Sequence, residues 1–140
     1  MTTKSKHISN RVLIADDDPA LRLLVSEIVK KEALVPVLAT NGKEALDILR
    51  RDSDFAVAIF DVEMPHLSGP ALIRYIQSDE RLKNIPVMIM TVKDDPRIAV
   101  ESLDAGALVF LPKPLKTSYV QVMLRMLIRK LSADSDRPPR

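Results

Sequence analysis

Cysteine and tryptophan are both absent from the 140 residues, and glycine occurs only three times. Without thiols there is no disulfide framework and no thiolate metal site, which fits a reducing compartment and makes the cytoplasm the expected location. Aromatic residues are only 4% of the chain, too few for the stacking platforms of single-stranded nucleic-acid binders. An excess of one charge is missing too: 21 basic against 19 acidic side chains leave +2. The bases are scattered along the chain, so no direct nucleic-acid partner is expected. No apolar run approaches the roughly 20 residues of a membrane span. Met1 to Asn10 is polar and lacks the apolar stretch of a signal peptide, so no membrane partner is expected either.

What is present is an ordinary globular mixture, 46% hydrophobic and 29% charged, at a length that suits one domain. Residues 11–131 read as that domain, with tails at 1–10 and 132–140. Strand-length apolar runs alternate with helix-length amphipathic stretches. The strands fall at Val12 to Ala15, Leu34 to Ala39, Phe55 to Phe60, Pro86 to Met90 and Leu108 to Leu111. The first helix is capped by Asp18 with Pro19 in its first turn, and Asn41 starts the second. Further helices follow at Pro70 to Ile76, about Pro96 to Ala105, and Tyr119 to Leu131, the last with Val120, Met123, Leu124, Leu127 and Leu131 on one face.

Five strand-then-helix repeats imply an α/β fold, a doubly wound five-stranded parallel sheet covered on both faces. Strands three and four are almost wholly apolar, as doubly buried strands are. Pro36 cannot donate to a ladder and belongs at a sheet edge. The order 2-1-3-4-5 follows, with strands one and three flanking the switch point where ligands bind. The strand ends deliver chemistry there: Asp16-Asp17-Asp18 after the first, Asp61 after the third, Thr91 after the fourth, Lys113-Pro114 after the fifth. Carboxylates crowded within 4–6 Å cannot all ionise comfortably unless a cation joins them, and hard oxygen ligands select Mg²⁺, with Mn²⁺ as an alternative. Asp18, directly before Pro19, is assigned to the helix cap instead. His7 and His66 read as surface residues.

Taken in order, Asp16-Asp17, Asp61 followed by Met64-Pro65 and Gly69, Thr91, and Lys113-Pro114 resemble the receiver domain of two-component response regulators over about residues 11–131. The resemblance implies a flavodoxin-like receiver fold with Asp61 as phosphoacceptor. It also implies a metal held by Asp16, Asp17, Asp61 and the Glu63 backbone carbonyl. Thr91 and Lys113 would meet the phosphoryl group, and the Lys113–Pro114 bond would be cis. Phe110 has two readings, core packing and a rotameric aromatic that follows Thr91; the loop from Val92 to Asp95 would belong to the same switch. Implied partners are a sensor histidine kinase or phosphotransfer protein, an unidentified downstream target, and a second copy paired through the fourth helix, fifth strand and fifth helix.

The same resemblance implies a phosphoacceptor that assists its own phosphorylation and dephosphorylation, not a turnover enzyme. Two alternatives stand beside it: a Mg²⁺-dependent phosphohydrolase using an aspartyl phosphate, and an interaction module whose phosphorylation is lost. Val92, where the family usually has a small residue, narrows the approach to Asp61, and Glu63 adds a carboxylate nearby. No output domain is read after the last helix, which is consistent with either a stand-alone regulator or a receiver cut from a longer chain.

Overall fold

The computed structural model describes residues 8–92 and 96–136, with side chains as far as Arg129. Residues 1–7 (with His7), 93–95 and 137–140, and the side chain of Leu131, lie outside the described residues. Five strands alternate with five helices: β1 (Arg11–Ala15), α1 (Pro19–Lys31), β2 (Val35–Ala39), α2 (Gly42–Arg51), β3 (Val57–Asp61), α3 (Gly69–Ser78), β4 (Val87–Val92), α4 (Pro96–Ala105), β5 (Val109–Lys113) and α5 (Thr117–Asp136). All four pairings are parallel and the order is β2-β1-β3-β4-β5, with Pro36 in the edge strand.

Alternation along each strand divides the core in two. Leu13, Ala58, Phe60 and Ile89 face α2, α3 and α4, where Leu49, Leu72, Ile73 and Ile76 cover them. Val12, Ile14, Val57, Ile59, Met88 and Leu111 face the other way, under Val25, Ile28 and Val29 of α1 and Val120 and Leu124 of α5. Each such aliphatic side chain removed from water contributes roughly 1.5–3 kcal/mol, which is why the sheet must be covered on both sides.

Helix starts follow local chemistry. Asp18 accepts from the amides of Ala20 and Leu21, and Pro19 occupies the first helical position. Asn41 accepts from Glu44 N at 2.8 Å, and Ser68 from Ala71 N at 3.3 Å. Several bounds differ from the sequence reading. β3 starts at Val57, two residues later than Phe55, because the Phe55 amide turns back to the Ser53 carbonyl. It continues through Asp61. β4 runs on past Met90 to Val92, and β5 to Lys113, because Thr91 pairs with Pro112 and Val92 with Lys113. Ladder bonds belong to the backbone, so a strand persists beyond its apolar run. α5 starts at Thr117 and continues to Asp136, beyond Leu131.

Candidate functional site

Register brings the site together. β1 and β3 pair as far as Ala15 with Phe60, so Asp16 and Asp61 are the next residues on neighbouring strands. On β1 the row Val12–Ile14 continues into Asp16; on β3 Val57–Ile59 continues into Asp61; on β5 Val109–Leu111 continues into Lys113. Two apolar members and then a charge, three times over, put these groups at the carboxyl edge of one sheet face. Asp17, exposed on the loop, completes an acidic trio with carboxylate oxygens within 4.8 Å of one another.

Asp16 is fully buried. Its Oδ1 accepts the Asp18 amide at 2.9 Å, while Oδ2 has no hydrogen-bond partner. Burial, reinforced by the Asp61 charge and opposed by the Asp18 amide, pushes its carboxyl up to about 6. Burial likewise raises Asp61, against the pull of Lys113, whose Nζ donates to Asp61 Oδ1 at 2.8 Å. An orphaned, buried carboxylate oxygen beside two further carboxylates fits a small hard cation, since a positive charge there removes both the repulsion and the unmet acceptor.

The mouth is a cavity of about 820 Å³ whose lining includes Asp17, Asp61, Glu63, Thr91, Val92 and Lys113. Thr91 continues the opposite row, Val87–Ile89, and its hydroxyl donates to the Val92 carbonyl at 3.1 Å, not to Asp61. Glu63 and Val92 are both exposed on the rim. Phe110 is half-buried against the α2–α3–α4 core, and Tyr119 Oη donates to its carbonyl at 3.4 Å. The Lys113–Pro114 bond is cis. Asp18 is taken up by the α1 cap. His66 is exposed, with φ of 73° in the loop after β3.

Gly69 explains why a small residue follows the acceptor loop. A Cβ there would come within 2.5 Å of the Asp61 carbonyl oxygen. The Gly69 amide also donates to the Val62 carbonyl at 2.9 Å, closing the loop over the strand end. Sequence reasoning missed Arg22, whose Nη1 donates to the Asp16 carbonyl at 2.7 Å. Nothing in a helical arginine six residues on signals that reach.

The family model of the response regulator receiver domain matches residues 12–125. The chain belongs to this receiver family. The response regulator MprA of Mycolicibacterium vanbaalenii is 34% identical over 124 residues, covering 89% of this chain and 52% of that protein. This receiver therefore spans about half the length of the curated relatives it matches. Among solved structures, the signal receiver domain of a signal transduction histidine kinase from Syntrophus aciditrophicus is 31% identical with a TM-score of 0.76, covering 92% of this chain and 94% of that one. The chemotaxis response regulator CheY4 of Vibrio cholerae is 26% identical at a TM-score of 0.78, covering 86% and 99%. Among the described residues no helix is long and apolar enough to cross a membrane.

Proposed function

We propose that this receiver is a cytoplasmic phosphoacceptor switch, loaded at Asp61 by a sensor histidine kinase or phosphotransfer protein and read by a downstream protein. The observation that carries it is the convergence of Asp16, Asp17 and Asp61 beside Lys113 at the mouth of the sheet. An Asp61 carboxylate oxygen forms the new P–O bond as the donor's P–N bond breaks and its imidazole departs with the electron pair. Lys113 lies against Oδ1 before transfer, so its ammonium is already in place for the charge the phosphoryl group brings. At 4 Å and an effective dielectric of 20 such a pair is worth roughly 4 kcal/mol before desolvation.

Asp16, Asp17, Asp61 and the Glu63 carbonyl would hold Mg²⁺, which supplies positive charge to the phosphoryl oxygens when bound. Mn²⁺ satisfies the same oxygen chemistry. Thr91, released from the Val92 carbonyl, would turn its hydroxyl toward the phosphoryl oxygens, with Phe110 moving inward behind it. Lacking a hydroxyl, Phe110 gains from that move only by burial. The surface of α4, β5 and α5 then changes its affinity for a partner. Val92 and Glu63 on the rim slow the approach of small anionic donors.

Incubation with a small phosphodonor and Mg²⁺ is expected to label the protein stoichiometrically, with the label lost in Asp61→Asn. Undiminished label in that variant would overturn the assignment of Asp61. Sustained turnover of a phosphate ester would identify a hydrolase in place of a switch.

A further inference from the structure

The end of β1 poses a problem of satisfaction. The Asp16 carbonyl points to the same side as its amide, toward β2, and the β1–β2 ladder stops at Ala15 and Ala39, so no strand residue continues opposite it. The Asp16 amide is held by the Ala39 carbonyl at 3.2 Å, and Oδ1 by the Asp18 amide. The carbonyl is met by Arg22 Nη1 at 2.7 Å, a charge-assisted bond from the second turn of α1. Side chains of a helix lean toward its N-terminus, which lets Arg22 reach back to the strand it follows.

We propose that Arg22 is a positioning residue for the cation site. By fixing the Asp16 carbonyl it sets the peptide plane joining Asp16 to Asp17. It thereby keeps the unpartnered Asp16 Oδ2 and the Asp17 carboxylate converged on Asp61. This rests on reading the acidic trio as a metal site. The sign of the effect separates the clamp from simpler roles. A cation near a divalent-ion site repels the ion, so deleting Arg22 as a mere charge tightens binding. Deleting a residue that only supports the fold leaves affinity unchanged. Removing a clamp weakens it.

The test is Mn²⁺ binding, read as free Mn²⁺ by electron paramagnetic resonance, for the native protein, Asp17→Asn and Arg22→Met. Methionine keeps an apolar stem and removes the donor. The expected result is a Kd for Mn²⁺ about tenfold higher in Arg22→Met, with the circular dichroism spectrum of the native fold. Arg22→Gln, polar and too short for the same reach, carries the same expectation should methionine impair folding. Unchanged or tighter binding overturns the clamp. Absence of any Mn²⁺ binding that Asp17→Asn abolishes overturns the metal-site reading, and the clamp with it.

Discussion

Asp16 stores a cost that the metal-free protein must carry. Its ordinary carboxyl value is 3.8, and burial raises it to about 6 in the folded protein. Between those values the folded state binds the extra proton, so stability is greatest below pH 4 on this account and falls as pH rises through 6. The difference of about 2.2 pH units corresponds to about 3 kcal/mol. Burial raises Asp61 too, which adds to the same trend, whereas Glu32, Asp52 and Asp79 are shifted downward and act in the opposite sense at more acidic pH. The informative window is therefore pH 4 to 6.5. Denaturant unfolding in EDTA is expected to show stability declining across that window, with a smaller slope in Asp16→Asn and a higher midpoint at pH 7. An identical slope in the variant would mean that Asp16 is not the group responsible. Asp16 was legible as a site residue from its place after an apolar strand; its complete burial was not, because burial depends on how α1 and its loop close over the strand end.

Helix α1 ends in a motif whose key position is filled by the wrong kind of residue. The Leu34 amide bonds the Val29 carbonyl and the Ala33 amide the Lys30 carbonyl, with Ala33 at φ of 61°. That pattern favours glycine, which has no Cβ to clash in the left-handed region. Ala33→Gly is expected to stabilise the protein by about 1 kcal/mol, read as a rise in Tm of roughly 3 °C. A fall in Tm would show that the strain at Ala33 is smaller than the flexibility glycine adds to the unfolded chain. Elements were legible from periodicity and caps: Asp18, Pro19 and Asn41 mark the starts of α1 and α2 correctly. Their ends were less so. Polar residues such as Thr91 and Lys113 remain in strands because backbone pairing ignores side-chain polarity, and the Ala33 turn has no glycine to announce it.

On the scale of the whole molecule, exposed Val100, Leu103, Leu108, Tyr119, Val122 and Met126 all belong to the α4–β5–α5 side. β5 is an edge strand of the sheet. Pairing of two copies there would cover these apolar side chains. Light scattering is expected to show the molecular mass doubling when a phosphoryl mimic is added with Mg²⁺, and Leu103→Glu to prevent it. An unchanged mass would remove the second copy from the list of partners.

The alternation of apolar strands with amphipathic helices specified the class of fold, Pro36 specified the edge position of β2, and the acids, hydroxyl and lysine at the strand ends specified the mouth where the chemistry lies. Strand ends are short-range features, and a parallel doubly wound sheet collects them at one edge whatever fills its core. Tertiary structure alone decided which groups meet. It joined Lys113 to Asp61 across 52 positions, left Asp16 Oδ2 buried and unpaired, turned Thr91 to the other row, and brought Arg22 back onto the Asp16 carbonyl. Those outcomes depend on register, on the face each side chain takes and on what covers it, and sequence spacing carries none of the three.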